Sequence, residues 1–360
     1  MKIIHIVESM HSAGGGLPAA VKALMRLQRE LGYDVSYCAT AEPAQPEGAD
    51  GVTGPAREVL ADAIRSGSYD FVHFHGVWNT AFVRLCLACR QSATNYMVTT
   101  HGQLLTTILA SDGPAKRMKK LLYRFVVGNW LLRGATKIHV SSENELAEFR
   151  RHSWLRDKTF YIPHILDMCF LKADDVSHES STGNRDILFV GRLDPRKGIL
   201  KLVEGFAGAA LPAPWRLRIV GPRGSDSFMQ ELDARIAALG LAGRVTVEQP
   251  VYGDARQELY RHCYLFCLPS YSEAPGLVNV EAALLGRPVL TTPYTGLFAI
   301  AHNGGMLCEP TAEAIQQALL AAKAWTKDEY AARSVNIQKW ARSEYALEQI
   351  SPQWRAFYSA

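Results

Sequence analysis

The sequence has little that would mark a membrane, fibrous or disordered protein. One of its longest uncharged stretches, residues 288–308, is interrupted by proline, glycine, threonine and asparagine. No stretch reaches the roughly 20 apolar residues that a membrane-spanning helix needs. The opening apolar run of MKIIHIVES is too short for a secretory signal, and no small-residue cleavage site follows it. With 48% hydrophobic and 21% charged residues, the composition indicates a globular protein, soluble or peripheral on a membrane.

Cysteine is also scarce, and its spacing forms no disulfide framework. The chain has seven cysteines, an odd number. Cys86 and Cys89 have a spacing seen in zinc sites, but no second pair follows, and both fall in a stretch with a helical pattern. We therefore expect free thiols and a reducing, cytoplasmic environment.

The chain is long enough for two domains of ordinary size. It has 360 residues, and its formal net charge of +4 is a mild excess. Such a balance is compatible with an anionic ligand or an anionic surface, but it does not indicate a nucleic-acid-binding protein.

Short runs rich in β-branched residues alternate with segments of helical periodicity in both halves of the chain. In the first half, strands are predicted at 3–7, 34–39, 69–75, 96–100 and 137–141, and helices at 18–31, 55–66, 79–90 and 118–133. A polar, serine-rich stretch at 167–186 predicts a linker. In the second half, strands are predicted at 187–190, 215–220, 245–249, 264–268 and 289–292, and helices at 198–208, 227–239, 255–262, 279–285 and 311–324, with a mostly helical region at 328–358.

This alternation predicts an α/β protein with two Rossmann-like, doubly wound parallel sheets. The predicted domains are 1–167 and 168–340, with a helix at about 341–360 packing back on the first. Ligands of such sheets bind beyond the carboxyl ends of the strands. The cleft between the two domains is therefore the expected binding site.

A glycine loop, Gly14-Gly15-Gly16, lies between the first strand and the first helix. Glycines there let the backbone approach an anion, and the helix start supplies N–H donors. The letters also fit a dinucleotide fingerprint, but five residues separate the strand from the loop and no acidic residue ends the second strand. An anion-binding loop and a merely flexible turn both remain open.

A second motif, GRLDPRKG at 191–198, joins the first strand of the second half to its helix. Arg192 can make forked contacts with phosphate oxygens, and Lys197 adds a point charge. Two cations at this place suit a diphosphate. The alternative is a solvated basic turn.

A third motif, PSYSEAPGLVNVE at 269–281, carries Glu273 in a loop and Glu281 in the following helix. The helix start can bind an anion, while the carboxylates accept hydrogen bonds from hydroxyl groups. This arrangement suits a ligand with both phosphate and polyol parts.

Together these segments resemble the retaining glycosyltransferases of the GT-B fold, of the group 1 (family 4) type. HFHGVWN at 73–79, VTTHGQL at 98–104 and SSENELAEF at 141–149 extend the resemblance over essentially the whole chain. Within the group, the segments are most similar to enzymes that build bacterial surface polysaccharides such as O-antigen, capsule or exopolysaccharide.

The resemblance implies roles for individual residues. Arg192 and Lys197 would hold the donor diphosphate, Glu273 would bind donor-sugar hydroxyls, and His101 would steady charge in the transition state. Glu281 would bind the nucleotide ribose. By the same resemblance, domain 1–167 would bind the acceptor and domain 168–340 would bind the nucleotide-sugar donor. Further donor contacts are implied for Gly15, Gly16, Gly221, Gly276, Leu277 and Val278. The co-substrate would be a nucleotide sugar, and no metal or other cofactor is expected.

Two departures from the family pattern concern the donor site and the domain junction. Where the family has Gly-Phe-Gly after its first glutamate, this chain has Ala274-Pro275-Gly276, and Pro275 lacks a backbone donor. Where the family has Pro-Asn-Gly at the junction, this chain has Pro163-His164-Ile165. Donor geometry and the contact made by that asparagine are therefore expected to differ.

Histidines and basic residues remain to be interpreted. His73 and His75 share one face of a strand, so a metal site with His101 is conceivable, although satisfied strand-end histidines are the ordinary reading. The segment 113–142 has no acidic residue and seven basic ones: Lys116, Arg117, Lys119, Lys120, Arg124, Arg133 and Lys137. With Tyr123, Phe125 and Trp130 among them, they suit anionic lipid headgroups, and the alternative is a core-packed helix with a solvated start.

We therefore predict retaining, metal-independent transfer of a hexose from a GDP- or UDP-sugar. The expected acceptor is a glycan or lipid-linked glycan, met at the inner face of the cytoplasmic membrane. The alternatives are a sugar-nucleotide epimerase, a glycan phosphorylase, a degenerate nucleotide-sugar-binding subunit and, more remotely, a nicotinamide oxidoreductase.

Overall fold

A computed structural model of the chain describes residues 1–10, 16–41, 57–106, 109, 113–166, 170, 185–273 and 275–359. The chain divides into two compact units, Met1–Ile165 with Ile350–Ala360, and Leu166–Gln349. The predicted boundary at residue 167 and most of the predicted linker lie outside the described residues. The last linker position, Asp186, instead lies within a strand and is buried.

The first unit contains a six-stranded parallel sheet. Its strands are β1 (Lys2–Val7), β2 (Asp34–Ala39), β3 (Phe71–His75), β4 (Asn95–Thr99), β5 (Lys137–Val140) and β6 (Thr159–Tyr161). They lie in the order β2-β1-β3-β4-β5-β6. Strand β3 is buried on both faces, as expected where helices cover a parallel sheet. β6 was not predicted, because three residues carry too little periodicity.

The helices of the first unit connect these strands. They are α1 (Gly16–Glu30), α2 (Arg57–Arg65), α3 (Ala81–Gln91), α4 (Pro114–Tyr123), α5 (Asn129–Gly134), α6 (Glu143–Arg150) and α7 (Ser153–Arg156). The single helix predicted at 118–133 is wrong in detail. It begins at Pro114, where a missing N–H is harmless, and a wider π turn over Arg124–Gly128 interrupts it.

The second unit repeats the architecture. Its strands are β7 (Arg185–Val190), β8 (Trp215–Val220), β9 (Val245–Glu248), β10 (Leu265–Leu268), β11 (Val289–Thr291) and β12 (Met306–Leu307). They lie in the order β12-β11-β10-β7-β8-β9, and all pairs are parallel. The helices are α8 (Ile199–Gly208), α9 (Asp226–Ala238), α10 (Gly253–His262), α11 (Leu277–Leu284), α12 (Ala312–Lys323) and α13 (Lys327–Tyr345).

Local sequence signals account for several of these helix starts. Ser225 and Thr311 accept hydrogen bonds from the backbone of the first turns of α9 and α12. Thr326 and Glu329 form a reciprocal capping box at the start of α13. The prediction of two doubly wound parallel sheets is confirmed.

The last helix, α14 (Leu347–Ser359), lies largely in the first unit. Its Trp354 is 1% exposed and packs against His73 and His139. The Tyr358 hydroxyl accepts a hydrogen bond of 2.7 Å from the Gln28 side chain. Among the helices that the structure describes, none is both long and apolar enough to cross a bilayer.

Candidate active site

Each sheet has a point where the chain reverses its direction of strand addition. In the second unit, β7, β8 and β9 run to one side, and β10 starts the other side. In the first unit the same reversal lies between β1 and β3. Such points leave a crevice at the carboxyl ends of the strands, where ligands bind. Two of the three predicted motifs follow β7 and β10, directly at the reversal of the second unit.

Lys197 and Glu273, which are 76 positions apart, form an ion pair at this reversal. Lys197 ends a short helical turn after β7, and Glu273 lies in the loop after β10. The Ser270 hydroxyl donates a second hydrogen bond of 2.8 Å to the same carboxylate oxygen. The two charged side chains are 21% and 14% exposed, so a ligand can still reach both of them.

Arg192 lies near this pair in sequence but makes a different contact. Its guanidinium is 3.7 Å from the Asp194 carboxylate, and the side chain is 57% exposed. Asp194 also caps the turn that carries Lys197, because its carboxylate accepts from the Arg196 backbone at 2.9 Å. The structure therefore leaves Arg192 accessible, without bringing it against the Lys197–Glu273 pair.

Predicted glycines at this edge allow close approach of backbone segments. A Cβ atom on Gly221 would lie 1.9 Å from the carbonyl oxygen of Gly191. A Cβ atom on Gly198, which has a φ of +71°, would lie 2.1 Å from the carbonyl oxygen of Pro269. Larger residues at these two positions would push the motif-bearing loops apart.

The segment Gly276-Leu277-Val278 begins α11, as its predicted donor-binding role requires. However, the Gly276 N–H donates to Thr295 and the Leu277 N–H donates to the carbonyl of Pro275. Two of the predicted phosphate donors therefore already have backbone partners. Asn279, which sequence reasoning missed, is fully buried beside them, and neither of its amide atoms has a hydrogen-bond partner among the described residues. An unsatisfied buried amide in the first turn of a helix calls for a ligand or a water.

Glu281 is 7% exposed, and both of its carboxylate oxygens have protein partners. The Arg256 guanidinium lies 2.9 Å from one oxygen, and the Tyr260 hydroxyl donates to the other at 2.8 Å. Burial raises the pKa of Tyr260 well above its usual range, so it stays a donor. The ribose-binding role of Glu281 stays a prediction.

In the first unit, His101 lies in a chain of hydrogen-bonded histidines. Its Nε2 is 3.0 Å from His75 Nδ1, and its Nδ1 is 3.3 Å from His164 Nε2. His75 Nε2 is in turn 2.8 Å from His5 Nδ1, and His5 Nε2 is 2.7 Å from Gln28 Oε1. His101 has a φ of +48°, which is uncommon for a residue with a Cβ atom.

The acceptor at one end of this chain fixes all its proton positions. The Gln28 oxygen can only accept, so His5 carries its proton on Nε2, and its Nδ1 accepts from His75. By the same logic, His75 Nδ1 accepts from His101 Nε2, and His101 Nδ1 accepts from His164 Nε2. Both ring nitrogens of His101 are therefore engaged. This assignment rests on the orientation of the Gln28 amide, whose nitrogen donates to Tyr358.

A second chain leaves one nitrogen without a partner. His139 Nε2 donates to the Ile162 carbonyl at 2.8 Å, so its Nδ1 accepts from the Thr99 hydroxyl at 2.9 Å. Thr99 then accepts from His73 Nε2 at 2.6 Å. His73 Nδ1 is consequently an unprotonated, buried atom with no hydrogen-bond partner in the part of the chain that the structure describes.

A possible metal trio differs from the one that the sequence raised. His5, His73 and His75 each place a ring nitrogen within 4.8 Å of the others, whereas sequence reasoning combined His73 and His75 with His101. His5 stands beside His73 in the strand pairing, and this neighbour cannot be read from the sequence without the register. Separately, a cavity of about 10 Å³ beside His75, His101 and His139 has room for about one water.

Burial keeps these histidines neutral. It lowers the pKa of His5 and His139 to about 4 and that of His101 to about 3. Burial and neighbouring histidines also hold the pKa values of His73, His75 and His164 well below their usual range. The histidines of this network are therefore linked by hydrogen bonds but carry no charge near neutral pH.

Glu145, a second residue that sequence reasoning missed, holds the turn that contains His101. Its carboxylate accepts from the Thr100 hydroxyl at 2.6 Å, from the Ser141 N–H at 3.2 Å and from the Gly102 N–H. Burial raises the pKa of this carboxyl group. Glu145 stands in the SSENELAEF segment, but the sequence does not show that its partners Thr100 and Gly102 come from the end of another strand.

The predicted basic segment forms a distinct surface, here called the basic helix surface. It carries Lys116, Arg117, Lys119, Lys120 and Arg124, together with the exposed apolar residues Met118, Leu122, Phe125 and Val126. Phe125 is 78% exposed and Met118 is 67% exposed.

Of the predicted glycine loop, Gly15 lies outside the described residues, and Gly16 begins α1. Six cysteines are free, of which Cys308 is half-buried, while Cys169 lies outside the described residues.

Comparison with known families agrees with this geometry. A model of "Glycosyl transferases group 1" matches residues 172–339, and a model of a "Glycosyl transferase 4-like domain" matches residues 15–164. The chain belongs to the group 1 glycosyltransferases.

Curated relatives of this group 1 glycosyltransferase include proteins named D-inositol 3-phosphate glycosyltransferase. The protein from Nocardia farcinica is 38% identical over 129 residues, which are 34% of this chain and 28% of that protein. The protein from Mycolicibacterium vanbaalenii is 28% identical over 257 residues, which are 66% of this chain and 55% of that protein. The alignments thus span between about a quarter and about half of the relatives' lengths.

Solved structures confirm the GT-B fold of this glycosyltransferase. Sucrose-phosphate synthase from Thermosynechococcus elongatus has a TM-score of 0.76 at 21% identity, covering 100% of this chain and 98% of that one. Anabaena HepE in complex with UDP-glucose has a TM-score of 0.75 at 20% identity, covering 100% and 99%. WaaG, a glycosyltransferase involved in lipopolysaccharide biosynthesis, has a TM-score of 0.66 at 17% identity, covering 99% and 98%.

Proposed function

We propose that the protein transfers a hexose, with retention of configuration, from a nucleotide-diphosphate sugar to a glycan or lipid-linked glycan. The observation that carries this proposal is the Lys197–Glu273 pair at the strand reversal of the second unit. It joins a cation suited to phosphate with a carboxylate suited to sugar hydroxyls, in a chain of the group 1 family.

In this proposal, the donor diphosphate displaces the carboxylate as the partner of Lys197. Arg192, which is accessible, adds a forked contact to the phosphate oxygens. Glu273 then accepts hydrogen bonds from the donor sugar, while Ser270 holds its carboxylate in place. The acceptor hydroxyl attacks from the face that the diphosphate leaves.

Catalysis then consists mainly of electrostatic stabilisation of the departing diphosphate. The two cations supply that stabilisation, so the proposed reaction needs no metal ion. No side chain is assigned as a covalent nucleophile. His101 has both ring nitrogens engaged by histidines, which favours a role through the shape of its turn rather than through proton donation.

The donor is proposed to be a UDP-sugar in the first instance, with a GDP-sugar as the alternative. The support is the fold shared with HepE, whose structures contain UDP and UDP-glucose. A surface polysaccharide is the proposed product, supported by the fold shared with WaaG. The inositol phosphate named for the curated relatives is the competing acceptor class.

The basic helix surface supports a peripheral membrane location on the cytoplasmic face. Positive side chains attract anionic headgroups, and exposed apolar side chains next to them can enter the acyl boundary. Met118, Leu122, Phe125 and Val126 are each more than 60% exposed, and such a group of exposed apolar side chains is typical of an interaction surface. A lipid-linked acceptor would lie at that same membrane.

Thermal unfolding against UDP-, GDP- and ADP-sugars, with NAD as the control, tests the donor assignment. We expect one base to stabilise the protein, because ligand at 100 times its Kd adds about 2.7 kcal/mol. Product analysis with donor alone then separates a transferase from an epimerase. If no nucleotide sugar shifts the transition and Lys197→Ala behaves like the wild type, the proposal is wrong.

A further inference from the structure

The first unit has its own pocket at the strand reversal between β1 and β3. We call it the strand-end pocket. It has a volume of about 570 Å³ and is lined by Glu8, Thr40, Ala41, Trp78, Asn79, Thr80 and Ala81. These residues follow the carboxyl ends of β1, β2 and β3. The volume falls within the range of small-molecule sites, and the location is the one that open parallel sheets use for ligands.

Three polar groups in this pocket have no protein partner among the described residues. Glu8 is exposed, and its carboxylate makes no hydrogen bond or ion pair there. Thr80 precedes α3 but makes no capping hydrogen bond with its side chain. The Trp78 indole nitrogen is buried and unpartnered. One acceptor, one hydroxyl and one donor beside an aromatic ring are a set that recognises sugar hydroxyls.

Hydrogen bonds between the strand ends fix the floor of the strand-end pocket. Asn79 donates to the Thr40 hydroxyl and accepts from the Ala81 N–H at 2.9 Å. The Thr40 N–H and hydroxyl both donate to the Val7 carbonyl. Asn79 and Thr40 are therefore occupied in holding three strand ends together. The recognition chemistry falls to Glu8, Trp78 and Thr80.

The charge of the pocket limits what it can take. Glu8 is the one ionisable residue among the seven that line it. A carboxylate without a cationic partner repels a phosphate group and attracts a hydroxyl group. Lys120, a residue of the basic helix surface, lies outside this lining, and its Nζ is 5.4 Å from the centre of the Trp78 ring. A phosphate would therefore find its cations beside the pocket rather than inside it.

We propose that the strand-end pocket binds the acceptor as a neutral, hydroxyl-rich sugar terminus and selects against a phosphorylated one, with Glu8 as the specificity-determining residue. The proposal rests on the proposed transferase function and names its acceptor class. Trp78 joins the pocket to the basic helix surface through its ring contact with Tyr123, at 5.7 Å between centroids. The lipid phosphate of a membrane-held acceptor would lie against that surface, with its terminal sugar in the pocket.

The test measures binding to the full chain by saturation-transfer NMR, with methyl glycosides of glucose, galactose, mannose and rhamnose as neutral probes. Phosphate esters of the same sugars are the charged counterparts. We expect at least one neutral probe to bind tenfold or more tightly than its phosphate ester. Glu8→Gln should narrow that ratio, and Glu8→Lys should invert it, because the lysine attracts phosphate. Trp78→Phe should weaken the neutral probe several-fold.

Matched controls are Glu30→Gln, an exposed carboxylate at the end of α1, and Trp130→Phe, which lies outside the pocket. Neither should change the ratio. The proposal is overturned if the phosphate esters bind as tightly as the neutral probes, if no neutral probe binds, or if Glu8→Lys leaves the ratio unchanged. UDP-sugar stabilisation of the same samples keeps the two claims apart, since it reports on the donor site and not on this pocket.

Discussion

Replacing Lys197 by alanine should lower both the rate of transfer and the stability of the protein, and the structure allows each loss to be worked out separately. The lysine is the ion-pair partner of Glu273, and both side chains are largely buried. Removing one preorganised cation from a departing oxyanion typically costs 10²–10³ in kcat, or about 2.7–4 kcal/mol. We expect that loss in the rate of nucleoside diphosphate release from the donor.

The same substitution strands the Glu273 carboxylate with Ser270 as its remaining partner. Breaking a fully buried pair costs about 3–5 kcal/mol, and the partial exposure of this pair reduces that to about 2 kcal/mol. For a unit of this size, such a loss lowers Tm by roughly 4–8 °C. Calorimetry of the apoprotein measures this effect independently of the rate.

Two variants make the experiment decisive. The double variant Lys197→Ala with Glu273→Gln removes the stranded charge, so it should regain most of the lost Tm while staying inactive. Lys201→Ala removes a lysine paired with Glu204 at 2.7 Å on the surface, and it should leave both rate and Tm nearly unchanged. A kcat for Lys197→Ala within threefold of the wild type would refute the assignment of the donor site.

Three further predictions concern the histidine network, the close approach of the backbone at Gly221 to that at Gly191, and the basic helix surface. The folded-state pKa values of His5 and His139 are about 4 against 6.5 for a free histidine, so the folded state binds fewer protons than the unfolded chain, and stability should fall as the pH drops from about 6.5 towards 4; urea unfolding across that range measures the slope, which His139→Asn should reduce. Gly221→Ala should lower Tm far more than Gly240→Ala, because a Cβ atom at 221 would lie 1.9 Å from a carbonyl oxygen while a Cβ atom at 240 has open space around it. Equal effects on Tm would contradict the close backbone approach at Gly221. Phe125→Ser should weaken sedimentation with vesicles containing anionic lipid several-fold, whereas Val59→Ser, a 54% exposed valine elsewhere in the unit, should not.

Sequence reasoning predicted the sheets well because burial on both faces leaves short apolar runs that stand out from the helices. Phe71–His75 and Arg185–Val190 are such runs, and both form central strands. Two short edge strands were not predicted, for the opposite reason. Met306–Leu307 and Thr159–Tyr161 have too few residues to show a period, and a neighbouring strand determines them.

The candidate site divides along the same line. The motifs at 191–198 and 269–281 could be singled out from the sequence because each follows its strand directly. His5, Gln28 and Tyr358 were missed because their contacts span 23 to 330 positions and depend on register and on the last helix. A histidine in the first strand carries no local signal of the two histidines that will stand beside it. The unpartnered amide of Asn279 is likewise visible only in three dimensions.

The helix α14 has a consequence for how the protein is made. The first unit consists of residues up to Ile165 together with the segment from Ile350 onward, and Trp354 covers His73 and His139 from that segment. Domains generally fold as units during synthesis, starting from the N-terminus. Here the ribosome must complete the whole second unit before the first can bury its histidine face. A nascent chain that stalls before Trp354 would leave His73 and His139 without the ring that covers them. The first unit of such a truncated product would be incompletely folded, and we expect it to be a substrate for quality-control proteases.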